Sequence, residues 1–102
     1  MDLKFPELIR ALPEFDGPFD AFKLESDHFN VLFASYPAGT DIAAHDHDTE
    51  NLGVVIRGCL TLTTNGETSR LLPGDWYHLD RHQQHAARFD EDTQIIEFWF
   101  RG

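Results

Sequence analysis

The sequence predicts an all-β sandwich or barrel, and the signal is a repeated pattern of short segments and turns. From about residue 22 onward, apolar and polar residues alternate over runs of strand length, and turn residues separate these runs at intervals of about eight to twelve positions. This spacing is typical of antiparallel strands joined by short connections. The expected strands are HFNVLFASY, DIAAHDH, NLGVVIR, CLTLTT, ETSRLL, DWYHL, HAARF and TQIIEFWF.

The clearest turn is the dipeptide Asn65-Gly66, which lies between the expected strands CLTLTT and ETSRLL. Asn and Gly both tolerate positive φ, so this pair favours a type I′ turn, whose twist matches that of a β-hairpin. Such a turn pairs Thr64 with Glu67 and Leu62 with Ser69. The dipeptide therefore predicts the register of two strands.

The first twenty residues differ from the rest in carrying Pro6, Pro13 and Pro18. Proline interrupts helices and strands, which leaves room for at most one short helix, around Glu7 to Leu12. We expect residues 1–20 to form an arm that lies on the barrel or on a partner. Residues 21–102 are then the barrel domain.

Length and charge exclude several classes of protein. A chain of 102 residues is long enough for one modest core, so we expect a single domain. Eighteen acidic residues against eight basic ones give a formal net charge of -10. Because the chain offers no basic stripe, we expect neither nucleic acid nor a membrane surface as its partner.

The cellular compartment is predicted from what the sequence lacks. Cys59 is the only cysteine, so no intramolecular disulfide can form. The opening residues do not resemble a signal peptide, and no apolar run approaches the length of a transmembrane helix. We therefore expect a cytoplasmic protein.

The segment HDHDTEN concentrates groups that bind metals. On an extended strand, residues two apart point to the same face, so His45 and His47 project together while Asp46 points away. Such a pair is a chelate with two donors. Taken alone, the same segment also fits a solvated acidic turn.

Two longer segments resemble the motifs of the cupin superfamily. In PAGTDIAAHDHDTENLGVVIRG, Gly39 is followed after five residues by the two histidines, then by a polar position at Asn51 and by Gly58. In GETSRLLPGDWYHLDRHQQHAARF, a Pro-Gly-Asp turn ends at Asp75, and His85 follows ten residues later. The resemblance covers roughly residues 30 to 100, with both motifs at the expected separation.

The resemblance implies a double-stranded β-helix, the jelly-roll-like cupin barrel, with a divalent metal ion inside it. The implied ligands are His45, His47, Asn51 and His85. Many cupins carry Glu at the fourth position. Here Glu50 comes one residue too early; it is the alternative to Asn51 as fourth ligand if it swings in, although strand parity directs it to the opposite face. The metal is Fe, Mn, Ni, Cu or Zn, and the sequence does not choose among them.

The implied function is binding of, or action on, a small organic molecule in the barrel. Oxygenase, isomerase and lyase chemistry all remain open, and no catalytic residue is assigned. A binding or sensing module without catalysis is the alternative, as is a barrel with an empty site. No Ser-His-Asp order, P-loop or dinucleotide fingerprint suggests another chemistry.

The sequence leaves undecided on which face two further titratable residues, His78 and Glu97, lie. His78 in DWYHL is expected to be a packed or surface histidine. Glu97 shares a strand face with Ile95 and Trp99; if that face were internal, Glu97 would be a buried carboxylate and a candidate general base. We favour the other interpretation, a Glu that points outward on an edge strand.

The segments VLFASY and IIEFWF predict a homodimer. Both are apolar on their two faces, whereas a monomeric small barrel needs one polar face on each strand. Burial of the second face against a second copy satisfies both segments.

Overall fold

Nine strands and one short helix form the regular structure of residues 4–101, which are the residues that the computed structural model describes. The helix α1 spans Glu7–Arg10. The strands are β1 (Asp20–Glu25), β2 (Phe29–Tyr36), β3 (Thr40–His45), β4 (Glu50–Arg57), β5 (Leu60–Thr64), β6 (Glu67–Leu71), β7 (Trp76–Leu79), β8 (His85–Phe89) and β9 (Thr93–Phe100).

The strands form two sheets whose paired strands are all antiparallel. One sheet has the order β1-β2-β9-β4-β7, and the other has the order β3-β8-β5-β6. Buried side chains from both sheets form one core, in which Leu32, Val55, Leu60, Phe89 and Ile95 are at most 1% exposed. This arrangement confirms the expected all-β, double-stranded β-helix.

The Asn65-Gly66 hairpin has the predicted geometry. Asn65 has φ of 52° and Gly66 has φ of 74°, as a type I′ turn requires. Strands β5 and β6 pair Thr64 with Glu67 and Leu62 with Ser69. Local turn chemistry was therefore sufficient to define this register.

Strand β1 is the one strand that the alternation pattern did not reveal. Its sequence DAFKLE shows no regular change between buried and exposed residues. All six of its residues pair with β2, from Asp20 opposite Ser35 to Glu25 opposite Asn30. The strand therefore forms because a neighbouring strand offers its edge, which is a property of the assembled sheet.

The described part of the predicted arm lies on the barrel. Phe5 is buried and contacts Phe22 and Phe33 edge-on, with ring centroids 6.5 and 5.8 Å apart. Farther along, Glu14 forms a β-bridge with Phe22. The ends of the predicted arm and barrel, residues 1–3 and 102, lie outside the described residues, and the division between residues 20 and 21 stays a prediction.

The helical content within residues 4–101 is small. Helix α1 is shorter than the segment expected from Glu7 to Leu12. None of the helices in this part of the chain combines the length and apolar character required to cross a bilayer.

Candidate metal centre

Three histidines meet inside the barrel, and they are named here the histidine cluster: His45, His47 and His85. One ring nitrogen from each lies within 4.8 Å of the others. His45 ends β3 and His85 begins β8, and the two residues are paired partners in the antiparallel ladder. Closure of the second sheet therefore brings together residues that are forty positions apart in the chain.

A β-bulge places His45 in the interior. Ile42 pairs with Ala87 and His45 pairs with His85, so β3 contains one residue more than β8 between these pairs. Strict alternation would put Ile42 and His45 on opposite faces, because they are three residues apart. The extra residue of the bulge brings Ile42 and His45 back to the same face of the strand, and both side chains line the interior. His47 follows two residues after the end of β3, beyond the regular strand.

The rings of the cluster are oriented by backbone carbonyl groups. His45 Nδ1 lies 2.9 Å from the carbonyl oxygen of Ala43, and His85 Nδ1 lies 3.0 Å from that of Gln83. A carbonyl oxygen only accepts, so both rings carry their proton on Nδ1 and keep a free lone pair on Nε2. This hydrogen bonding is the usual arrangement behind a metal-binding imidazole.

The spacing of the ring nitrogens fits a shared metal ion. The Nε2 atoms of His45 and His47 are 3.2 Å apart. Two imidazole nitrogens bound at about 2.0–2.1 Å to one tetrahedral ion lie roughly 3.3 Å from each other. The donor set, and the separation between His45 and His47, are therefore compatible with a shared transition-metal ion.

Two rings of the cluster, those of His47 and His85, have a lowered pKa. Burial, followed by the neighbouring rings of His45 and His85, lowers the pKa of His47 to about 4. Burial also lowers the pKa of His85. Neutral imidazole is the form that binds metals, so no proton has to leave these two rings at neutral pH.

Asn51 and Glu50 face opposite sides of β4, as strand parity predicted. Asn51 is 5% exposed and lines the same cavity as the histidine cluster. Its Oδ1 accepts a hydrogen bond of 2.7 Å from the hydroxyl of Thr49. Glu50 points away, and its Oε2 lies 2.7 Å from Nε2 of the exposed His78. Of the two positions expected for His78, packed or on the surface, the structure shows the surface one, and Glu50 is engaged outside the barrel.

The histidine cluster lies in the wall of a cavity of about 720 Å³, named here the barrel cavity. Most of its wall is apolar, with several aromatic rings, and its acidic residues are Asp41 and Glu97. Among the described residues, none that lines it is a lysine or arginine. The aromatic residues of the lining are Phe15, Phe19, Tyr36, Tyr77, Phe89 and Trp99.

The outward position favoured for Glu97 is wrong. Strand β9 lies between β2 and β4 in the centre of its sheet, and Glu97 is 6% exposed and faces the barrel cavity. The hydroxyl of Tyr36 donates a short hydrogen bond to Glu97 Oε2, and the indole Nε1 of Trp99 donates one of 3.0 Å to Oε1. Burial raises the pKa of Glu97, and these two hydrogen bonds oppose that rise.

A second phenol lies near Glu97 because β4 carries a glycine. An added Cβ at Gly53 would lie 2.2 Å from Cζ of Tyr77, so the aromatic ring occupies the space of a side chain. Burial, with the nearby charge of Glu97, raises the pKa of Tyr77. No sequence pattern indicates this contact, since β4 and β7 become neighbours only in the folded sheet.

Trp99 connects the carboxylate with the histidine cluster. Its ring lies 4.6 Å from that of His47, measured between centroids, while its Nε1 holds Glu97. Tyr36 stacks on Phe89 on the other side of Glu97, with centroids 4.2 Å apart. The two-residue period of a strand predicts that Trp99 lies on the same face as Glu97. It does not predict that Tyr36, on another strand, contacts Glu97.

A family model for the cupin domain matches residues 32–100 of the chain. The match contains all the members of the histidine cluster as well as Asn51 and Glu97.

Solved structures with the same fold include proteins of different sizes. KdgF from Halomonas sp. aligns with a TM-score of 0.78 and 22% identity over 87% of this chain and 86% of that chain. Salicylate 1,2-dioxygenase from Pseudoaminobacter salicylatoxidans aligns with a TM-score of 0.73 and 18% identity over 78% of this chain but 25% of that chain. A crystal structure of the DMSP lyases RdDddP and RnDddQII aligns with a TM-score of 0.73 and 21% identity, over 80% of this chain and 47% of that chain. At these identities the likeness shows the fold.

Proposed function

The chain belongs to the cupin domain family, and from this premise we propose that it binds a divalent metal ion and a small organic molecule side by side in its barrel. The observation that carries the proposal is the convergence of His45, His47 and His85, each with a ring nitrogen within 4.8 Å of those of the other two. The 720 Å³ cavity that opens from this point offers the volume for a ligand.

Asn51 completes the proposed metal site through its side-chain carbonyl oxygen. The residue is buried and lines the cavity, and the hydroxyl of Thr49 holds its side chain in place. A carbonyl oxygen has two lone pairs, so the bond from Thr49 leaves one for a metal ion. Fe, Mn, Ni, Cu and Zn all suit a set of three imidazoles and one amide.

The charge of this donor set favours a particular kind of ligand atom. Three neutral imidazoles and an amide leave the positive charge of a divalent ion uncompensated. An oxygen that is anionic, or that becomes anionic as an enolate, is therefore favoured next to the metal. When bound, the metal supplies Lewis acidity, which polarises a carbonyl or hydroxyl oxygen of the ligand.

The chain's own residues provide the remaining features of an enzyme active site. The apolar wall with its aromatic rings shields the bound molecule from water, and the lowered pKa of His47 keeps that ring in its metal-binding form. A lyase, an isomerase or an oxygenase fits these features, and the structures of similar fold include a dioxygenase and a DMSP lyase. A binding or sensing module without catalysis is the second candidate, because folds of one family serve several functions.

Elemental analysis of untagged protein, purified without added metal and without chelators, tests the proposal. A bound transition metal near one equivalent per chain is the expected result. Dialysis against a chelator should then remove it, and one equivalent of Zn²⁺ should bind again. Protein that arrives without metal and takes up none from a micromolar solution would overturn the proposal.

A further inference from the structure

Glu97 is a buried carboxylate in a wall that contains no lysine or arginine among the described residues. Burial of a carboxylate is costly unless hydrogen bonds or a counter-charge compensate it. Tyr36 and Trp99 each donate one hydrogen bond, one to each oxygen of the carboxylate. These bonds orient the group and favour its ionised form, but they bring no positive charge. Within residues 4–101, the wall of the barrel cavity therefore offers the carboxylate of Glu97 no lysine or arginine as a cationic partner.

The rings that surround Glu97 are of the type that receives a cation. Tyr36 and Trp99 flank the carboxylate directly, and Phe15, Phe19 and Tyr77 continue the wall. The face of an aromatic ring carries negative potential and attracts an ammonium group within about 6 Å. Phe19 lies 5.2 Å from Tyr36, and Phe15 lies 6.3 Å from Trp99, between ring centroids, so these rings form a continuous aromatic surface.

From this combination we propose that the barrel cavity recognises a small organic cation, with its ammonium group seated against the aromatic wall and Glu97 as its counter-ion. The proposal names the ligand class of the cavity and rests on the proposed function for the role of the metal. A ligand with a polar oxygen at one end and an ammonium group at the other satisfies both sites. The cationic pocket itself requires only residues of this chain, so it can be examined without metal.

A general base is the competing role for Glu97, and the hydrogen bonds argue against it. Both carboxylate oxygens already accept a bond from Tyr36 or Trp99, which stabilises the anion and partly offsets the rise that burial causes in the pKa of Glu97. A counter-ion benefits from the same bonds, because they hold the negative charge in place before the ligand arrives. The two roles predict different effects of Glu97 on ligand affinity, because a general base acts in the reaction step whereas a counter-ion acts in binding.

Choline and its neutral isostere 3,3-dimethylbutan-1-ol form a matched pair of probes, because they differ in shape very little and in charge by one. Isothermal titration of metal-free wild-type protein should show choline binding at least about tenfold more tightly than the isostere. Glu97→Gln should remove this preference. Zn²⁺ titrated into both proteins should bind with equal affinity, which separates loss of the cationic pocket from loss of the metal site.

Three results would overturn the inference. The first is an isostere that binds the wild-type protein as tightly as choline does, which would indicate a purely apolar cavity. The second is a preference for choline that survives in Glu97→Gln, which would place the counter-ion elsewhere. The third is the absence of binding by either probe. The comparison on wild-type protein stands even if Glu97→Gln fails to fold, and weak Zn²⁺ binding alone would count against the metal proposal only.

Discussion

The imidazole rings of His45 and His85 lie side by side across the β3–β8 ladder, with centroids 4.3 Å apart and ring planes tilted by 55°, although the residues are forty positions apart in sequence. His45 stands at the end of one strand and His85 at the start of the next strand in the sheet. The ladder thus fixes two rings of the histidine cluster by backbone pairing. The strand pairing sets the distance between the two rings, and the pairing itself does not require the imidazoles.

His85→Ala should abolish tight metal binding and leave the fold intact. The change removes one of three imidazole donors, and metal affinity depends steeply on ligand number, so we expect Zn²⁺ affinity to fall by about 100-fold or more. Isothermal titration measures the affinity, and circular dichroism checks the fold.

The matched control for this change is His82→Ala, three residues away. His82 is exposed, with its side chain 68% accessible, and lies outside the histidine cluster. Its removal should leave Zn²⁺ affinity unchanged. Equal affinity in wild type and His85→Ala would contradict the assignment of the cluster as a metal site.

Asn51→Glu should tighten metal binding by about 10-fold to 100-fold. A carboxylate at this buried position adds a negative charge beside the proposed ion, where the amide adds none. Glu50→Gln is the control, because Glu50 lies on the outer face with His78 and should not influence the affinity. An unchanged affinity in Asn51→Glu would show that position 51 does not reach the metal.

Gly53→Ala should destabilise the protein by about 1–3 kcal/mol, because the new methyl group overlaps the ring of Tyr77. Urea unfolding gives the free-energy difference. In a Tyr77→Ala background the same change should cost little, since the ring is gone and alanine favours a strand more than glycine does. Equal costs in the two backgrounds would place the strain elsewhere.

The stability of the protein relative to Glu97→Gln should fall as the pH rises. Burial raises the pKa of Glu97 above its ordinary value of 4.5, so the folded state holds the proton more tightly than the unfolded chain. The resulting stabilisation is complete below the unfolded pKa and is lost as the pH rises through the folded pKa.

Urea unfolding of wild type and Glu97→Gln at pH 5 and pH 8 measures this effect. Every other titrating group is common to both proteins, so the difference between their unfolding free energies isolates Glu97. That difference should shift in favour of the glutamine variant at pH 8. If the difference in unfolding free energy between the two proteins is the same at pH 5 and pH 8, Glu97 keeps an ordinary pKa.

Light scattering at micromolar concentration should give twice the chain mass of 11.7 kDa. The sheet that contains β2 and β9 places Trp76 on its outer side, 59% exposed and stacked on Phe98 with centroids 6.1 Å apart. Trp76→Glu should shift the protein toward the monomer, because it puts a charge on this apolar surface. Leu72→Glu, a change at an exposed leucine next to the other sheet, should not. A monomeric wild-type protein would end the homodimer prediction.

The features that the sequence predicted correctly depend on neighbouring residues. The Asn65-Gly66 turn needs only two residues that tolerate positive φ, and its register follows from the turn. The opposite orientation of Glu50 and Asn51 needs only the two-residue period of a strand. His85 is a candidate ligand only through its spacing from the Pro-Gly-Asp turn, in the segment that resembles the second cupin motif, and its role as a metal ligand stays a prediction.

The tertiary structure decided the features that depend on which strands become neighbours. Alternation put Glu97 on a face with Ile95 and Trp99, but only the strand order shows that β9 is central and that this face is the interior. The bulge in β3 also depends on the tertiary structure, because it is defined by the pairing of β3 with β8. Period and turn chemistry act within a strand or hairpin, whereas sheet order results from the packing of the whole core. The sequence by itself therefore determined the β-barrel and pointed to His45, His47 and His85 as candidate metal ligands, and the assembled sheets determined which carboxylate and which rings share the cavity with them.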